Sequence, residues 1–356
     1  MNAVPLRTAV VGFGRVSCGY ADDPRMAAHY QYATHAQVLR AHPAFRFAAV
    51  VDADPDAREN ARARWSVPSV AETPAGLGAA AGDIEVVVLA TPPQTRVELL
   101  DGFPRLRAVL VEKPLGVTLT DCARFLDECR RRDILVQVNL WRRADTRFRS
   151  LAAGELHDML GAAQCAFGVY GNGLQNNGTH MVDLVRMLLG EITAVESFGP
   201  SAPFRAGPIP GDVNPAFALS MASGAAAVFH PLRFEHYREN SLDIWGERGR
   251  LAVENEGLTL VRYGRADSRS TTGEREIVCD APQYLETTVG DALYHMYTNL
   301  AEAVHGAGRL WSPGESALRT TLVVDAILRA VAECRPVGIN EMSDAMALTR
   351  DRSAVP

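Results

Sequence analysis

The sequence predicts a doubly wound α/β domain followed by an α+β domain with a wide, mostly antiparallel open sheet. Three observations lead there. The first 140 residues alternate short apolar runs with amphipathic stretches, as parallel strands covered on both faces by helices do. The first run ends in Gly12-Phe13-Gly14-Arg15-Val16-Ser17, a glycine turn between strand and helix. Beyond about residue 140, strand-like runs follow one another without helices between them, which implies antiparallel pairing.

Taken in order, strands are expected at Thr8–Val11, Phe47–Val51, Val86–Ala90, Ala108–Val111 and Leu135–Val138. Helices are expected at Pro55–Arg64, Thr95–Gly102 and Asp121–Arg132. The last carries an apolar stripe of Cys122, Phe125, Leu126 and Cys129, and ends in Arg130-Arg131-Arg132, charges that suit the negative end of a helix dipole. Thr34 reads as the N-cap of a further helix through His35, Val38 and Leu39. The second domain opens with a helix at His180–Leu189, with Met181, Leu184, Val185 and Leu188 on one face. Strand-like runs follow at 194–198, 216–220, 225–229, 241–245, 251–254 and 258–262, separated by turn residues such as Gly246, Gly249 and Gly257. Two helices, Thr288–His305 and Ser312–Cys334, close the pattern. The expected domains are 1–138 and 139–345, with a tail at 346–356.

Composition narrows the class. A net charge of -6, with no Lys/Arg block longer than three, argues against a nucleic-acid footprint. No apolar run approaches the ~18 residues of a membrane span, and the first residues lack the pattern of a signal peptide. The six cysteines are scattered, with no CxxC and no paired histidines, so no metal site is expected and a reducing cytoplasm suits the chain.

Chemistry gathers at the ends of the predicted parallel strands. The turn Gly12, Phe13, Gly14, Arg15 and Val16 allows a pyrophosphate to approach backbone N–H groups, although Ser17 replaces the third glycine of the fingerprint. Asp52 ends the second strand, where a carboxylate accepts from a ribose 2′-OH and repels a 2′-phosphate. This favours NAD over NADP. Asp52 lies 38 positions after Gly14, beyond the usual ~20, and a long loop from Ser17 to Ala33 accounts for the excess. Tyr20, His29, Tyr30 and Tyr32 suggest that this loop is an ordered lid. Arg58 reads as a solvated helix residue. Thr91, Pro92 and Pro93 stop the third expected strand at the edge where ligands bind in open α/β sheets, or serve merely as a strand terminator. The fourth expected strand ends in Glu112-Lys113-Pro114. That is either a surface ion pair or an amine presented at the sheet edge.

These stretches resemble the Gfo/Idh/MocA family of oxidoreductases, which includes glucose–fructose oxidoreductases and inositol dehydrogenases. The resemblance is carried by Gly12-Phe13-Gly14, 87–93, Glu112-Lys113-Pro114, Asn139-Leu140-Trp141-Arg142-Arg143, Gly178-Thr179-His180-Met181-Val182-Asp183 and 245–250, and spans almost the whole chain. It implies that Lys113 stands beside the nicotinamide and stabilises an alkoxide. It implies a cis bond before Pro114, with Glu112 orienting the lysine or binding the nicotinamide ribose. His180 then takes and returns a proton, or is a helix-start histidine of the core. Asn176 stands where relatives often have an aspartate; it can bind a sugar hydroxyl but cannot act as a base. Arg96 stands where relatives often have a histidine and is expected to adjust cofactor contacts. Arg142, Arg143 and Tyr170 complete the expected substrate contacts, with Asp183 structural and Asn139 a lesser candidate.

The implied function is NAD-dependent hydride transfer to or from a secondary alcohol or ketone of a sugar, sugar derivative or cyclitol. The alternatives are glycoside cleavage through transient oxidation and elimination, and a non-catalytic NAD-binding regulator. A homodimer or homotetramer joined through the wide sheet is implied by the relatives, with no nucleic-acid or membrane partner.

Overall fold

The computed structural model describes residues 4–199, 201–202, 204 and 207–342; the expected tail at 346–356 lies outside them. The chain forms two compact units, Met1–Asp145 with Gly290–Leu318, and Thr146–Val289 with Arg319–Pro356.

The first unit holds six strands: β1 (Leu6–Val11), β2 (Phe45–Val51), β3 (Ser69–Ala71), β4 (Val86–Leu89), β5 (Ala108–Val111) and β6 (Leu135–Val138). They lie in the order β3-β2-β1-β4-β5-β6, and every pair is parallel. This is the doubly wound arrangement expected. β4 and β5 are buried throughout, and alternate residues feed two cores. Val87, Leu89, Val109 and Val111 meet Cys122, Phe125, Leu126 and Cys129 of the helix Leu119–Arg131. Val86, Val88, Ala108 and Leu110 belong to the core of the opposite face, which also takes Val38 and Leu39 of the helix His35–Ala41.

That second core also contains Leu293, Met296, Tyr297 and Leu300 of the helix Ala292–Val304. The expectation of a contiguous division after residue 138 is therefore corrected. Residues 290–318 return to the first unit, because the sheet needs a layer on that face which its own crossover helices do not complete. β3 went unread because three residues are too few to set a period.

The second unit is one ten-stranded sheet. Its strands are β7 (Ala163–Gly171), β8 (Ile192–Ser197), β9 (Phe217–Met221), β10 (Ala226–Leu232), β11 (Ser241–Gly246), β12 (Gly249–Glu254), β13 (Thr259–Asp267), β14 (Arg275–Ile277), β15 (Gln283–Leu285) and β16 (Val337–Gly338). Their order is β14-β13-β12-β11-β7-β10-β9-β8-β16, with β15 against β13. Only the β7–β10 pair is parallel among those described. The sequence reading missed β7, the central strand, because its small residues Ala166, Gly168 and Gly171 blur the alternation that marks a half-buried strand. Among the described residues no helix is long and apolar enough to cross a membrane.

Candidate active site

The glycine turn is built on a conformation only glycine tolerates well. Gly12 has φ +89°, and a Cβ there would stand 2.9 Å from the backbone of Ala90 and Thr91. The N–H of Gly12 donates to Val51 O at 2.8 Å. Around Gly14 the space is open, with no heavy atom within 4 Å of an added Cβ. Ser17, in place of the third glycine, is buried and its hydroxyl donates to Gly12 O at 2.6 Å, so it closes the turn from within. Phe13 sinks its ring into the core while its N–H donates to Asp52 Oδ2. Arg15 is exposed and stacks over Tyr20 at 5.0 Å, and Val16 is exposed.

Residues 17–33 leave the path of a helix and return to it. Ala36 N–H donates to Ser17 O at 2.9 Å and His35 N–H to Val16 O at 3.4 Å, as if the helix continued across the gap. Thr34 caps the resumed helix through a capping box with Gln37. The excursion packs on its own unit: Tyr32 lies 4.9 Å from Tyr294, Tyr30 meets Trp141 edge-on at 6.3 Å, and Asp22 pairs with Arg64.

Asp52 ends β2 and also accepts from Asp54 N–H at 2.8 Å. Arg58 is half-buried and donates to the carbonyls of Asp52 and Ala53 at 2.7 and 2.8 Å, so it clamps the strand end and is not a free helix charge. Past β4, the Thr91 hydroxyl is shielded from solvent without a hydrogen-bond partner, and Pro92 and Pro93 lead into a short helical turn. An open cradle at Gly14, a carboxylate at the end of β2 and an orphaned hydroxyl at the end of β4 fit a bound dinucleotide. Changing Asp52 to Asn should improve NADP binding relative to NAD by about ten-fold, or ~1.4 kcal/mol, by removing the charge that repels a 2′-phosphate. Titrations of protein fluorescence with each cofactor would read this, and an unchanged preference would sink the specificity assigned to Asp52.

Past β5, the Lys113–Pro114 bond is cis, as the resemblance implies. Beneath it lies a buried polar chain that the sequence reading missed. The Glu112 Oε1 accepts from His35 Nε2 at 2.9 Å and from Asn139 Nδ2 at 2.6 Å. The other ring nitrogen of His35 meets the Tyr297 hydroxyl at 2.9 Å. With a carboxylate at Nε2, that nitrogen carries a proton, and Tyr297 can donate to Nδ1. Burial pushes the Glu112 carboxyl up, but hydrogen bonds from His35 and Asn139 and the Lys113 charge outweigh it, holding the group below the usual carboxylate range. Burial, with the nearby Glu112 charge, drives the Tyr297 hydroxyl well above the phenol range.

Arg96 reaches the expected cofactor edge only through the backbone, donating to Thr91 O at 2.9 Å. It is buried, 2% exposed, and its guanidinium bonds the backbone around Lys113. A histidine-for-arginine comparison could not have shown this. Arg142 is also buried and stacks 4.1 Å over Trp141, whereas Arg143 is half-exposed.

In the second unit, His180 is half-buried in the first turn of the helix Thr179–Leu189, directly after a π-helical turn, Leu174–Gly178. Such turns are frequent at functional sites. The turn is held from outside by Asp212, whose carboxylate accepts from Gln175 N–H at 2.9 Å and Asn176 N–H at 3.0 Å. Asn214 Oδ1 accepts from Gly173 N–H at 3.0 Å. Asn176 is half-buried and its side chain donates to Asn172 O at 3.1 Å. Asp183 accepts from the Thr320 hydroxyl at 2.9 Å and has the structural place expected.

Tyr170 is corrected. It is fully buried, and its hydroxyl donates to Pro215 O at 2.6 Å. It shares the inner face of β7 with Ala166 and Gly168, so the strand's alternation turns it into the core. The Asp212 brace had a weak signal in its Gly-Asp-Val-Asn-Pro loop. A stronger signal lies in composition: Lys113 is the only lysine in the sequence, and every other Lys/Arg position is arginine.

The glycine turn, the acid at the end of the neighbouring strand and the 3-2-1-4-5-6 sheet together define an NAD-binding Rossmann domain of the oxidoreductase type. Residues 6–140 match the model described as "Oxidoreductase family, NAD-binding Rossmann fold" of Gfo/Idh/MocA, and residues 166–252 match the "GFO/IDH/MocA C-terminal domain". The chain belongs to the Gfo/Idh/MocA family of oxidoreductases. Inositol 2-dehydrogenase of Rhizobium meliloti (strain 1021) is 23% identical over 328 residues, covering 86% of this chain and 95% of that protein. The fold is shared with an oxidoreductase from Agrobacterium radiobacter in complex with NAD+, L-tartaric acid and magnesium. The two align with TM-score 0.71 and 18% identity over 95% of this chain and 100% of that one. It is shared also with levoglucosan dehydrogenase in complex with NADH and levoglucosan, with TM-score 0.70 and 19% identity over 94% and 100%.

Proposed function

We propose that this chain is an NAD-dependent dehydrogenase or reductase for a secondary alcohol or ketone of a sugar, sugar derivative or cyclitol, with Lys113 and His180 as its catalytic residues. One observation carries the reading: the single lysine of a chain otherwise built with arginine stands at the end of β5, in the Glu112-Lys113-Pro114 turn. Arginine serves wherever only a positive charge is needed. A guanidinium keeps its proton at any working pH, whereas an ammonium can lend its proton and take it back. The names of the inositol- and levoglucosan-oxidising relatives support a polyol substrate.

The bound nicotinamide supplies a hydride acceptor or donor. The chain's residues manage the oxygen and its proton. Lys113 Nζ donates to the reacting hydroxyl oxygen and stabilises negative charge on it. His180, directly or by relay through the Lys113 amine, takes the hydroxyl proton during oxidation and returns it during reduction. Asn176, which has no charge to lend, holds a neighbouring hydroxyl, and Arg142 and Arg143 provide further polar recognition. The six free cysteines support a reducing, cytoplasmic setting. The outer sheet face of the second unit, where Phe167 is 53% exposed, is assigned to a homo-oligomer contact.

The test is a panel of sugars, anhydrosugars and cyclitols, and the corresponding ketones, incubated with NAD+ or NADH and followed by the absorbance of reduced nicotinamide. Turnover of at least one polyol–ketone pair is expected. Tight NAD binding without turnover of any pair would overturn the reading.

A further inference from the structure

We infer that Arg96 is a positioning residue for Lys113, a buried guanidinium that fixes the backbone on both sides of the catalytic amine. This rests on the reading of Lys113 as catalytic. Arg96 Nη1 donates to Pro114 O at 2.5 Å and Leu115 O at 3.1 Å, and Nη2 donates to Glu112 O and Thr91 O, both at 2.9 Å. The carbonyls of residues 112 and 114 flank Lys113 directly. The Thr91 carbonyl belongs to the end of β4, beside the orphaned Thr91 hydroxyl. One planar fork thus ties two neighbouring strand ends, the cofactor edge and the lysine turn, into a fixed relation.

Simple stabilisation of the fold explains this arrangement poorly. A buried cation costs several kcal/mol of desolvation unless it is well compensated. None of these four acceptors is a carboxylate, and burial draws the guanidinium down to about 10 although the nearby Glu112 charge opposes the shift. Arg96 is also the first residue of the helix Arg96–Leu100, where a cation meets the unfavourable end of the dipole. An apolar side chain there would avoid both costs. What it could not do is hold four carbonyls at once. A lysine lacks the rigid planar fork, and a histidine offers two donors at most.

The test uses the full chain, with Arg96→Ala, Arg96→Lys and Lys113→Ala made in parallel. Three quantities are read: kcat and KM for a polyol turned over by the wild type, NAD binding by fluorescence, and the Lys113 amine itself. Because the chain has one lysine, reductive ¹³C-methylation reports Lys113 and the terminal amine alone. In Arg96→Ala, kcat should fall about a hundred-fold, the usual result of a misplacement near 1 Å, while NAD affinity and KM change less than about three-fold. The Lys113 methyl signal should move to the position of a mobile lysine, and added guanidinium should restore both turnover and signal. Arg96→Lys, which retains the charge and is the safer variant to fold, should lose about ten-fold in kcat.

Arg96 variants that fold, keep wild-type kcat and leave the Lys113 signal unmoved would overturn the inference while Lys113→Ala is inactive. An active Lys113→Ala would instead remove the catalytic reading on which it rests. Where no polyol in the panel is turned over, the methyl signal decides whether Arg96 holds the lysine.

Discussion

Lys113→Arg should lower kcat by about a thousand-fold or more, the combined range expected for losing a proton-exchanging group and part of the charge stabilisation. NAD should still bind within a few-fold of wild type, because the glycine turn, Asp52 and Thr91 are untouched. The conservative exchange is the informative one. Arginine retains the positive charge and can hydrogen-bond a substrate oxygen, but it cannot give up its proton. Its planar head also cannot occupy the volume of a single ammonium in the turn between Glu112 and Pro114. Lys113→Ala should lose at least as much. Steady-state rates on a polyol, alongside NAD titration, provide the measurement. Turnover of Lys113→Arg within ten-fold of wild type would mean that position 113 needs only charge, and the proton role would have to move to His180 alone.

Removing His35 should produce the largest loss of stability. In His35→Leu the Glu112 carboxylate keeps Asn139 and the Lys113 charge but loses its hydrogen bond at 2.9 Å. Its buried environment then dominates. Breaking one partner of such a buried pair costs about 3–5 kcal/mol, readable as a shift in the denaturant midpoint at pH 8. Adding Glu112→Gln to His35→Leu should recover most of it, since the double variant has no buried carboxylate left without its histidine partner.

The pH dependence follows from the direction in which Glu112 is shifted. In the wild type its folded value lies below the ordinary 4.5. The associated stability is therefore fully present above 4.5 and is lost as pH falls through the lower, folded value. In His35→Leu, burial raises the carboxyl instead, so the deficit should be greatest at pH 8 and shrink towards pH 4, where the group is neutral. A deficit below about 1 kcal/mol at pH 8, at the level of an ordinary net hydrogen bond, would show that Glu112 does not need His35.

Both variants touch residues that the sequence revealed to very different degrees. The parallel strands were legible because continuous runs such as Val86–Leu89 and Ala108–Val111 admit few other readings. The helix Leu119–Arg131 was legible through its 3.6-residue stripe. Gly12, Asp52 and Lys113 were found because strand ends and glycine turns are local features. His35 was seen only as a helix residue. Its partner Glu112 is 77 positions away and Tyr297 is 262 away, and no local pattern encodes such pairings. Tyr170 was misplaced because β7 was unread, and a strand that is not seen has no inside and outside.

By itself, then, the sequence determined the alternation that builds the first sheet, the glycine turn and carboxylate that suit NAD, and the one lysine of the chain. Each of these is set by neighbours within a few residues, where backbone sterics and periodicity operate. Only the tertiary structure decided that residues 290–318 complete the first unit, that Arg96 grips the lysine turn and that Asp212 braces the approach to His180. Those contacts join segments far apart in the chain, and burial makes each unpaired polar group costly enough that its partner has to be found across the fold.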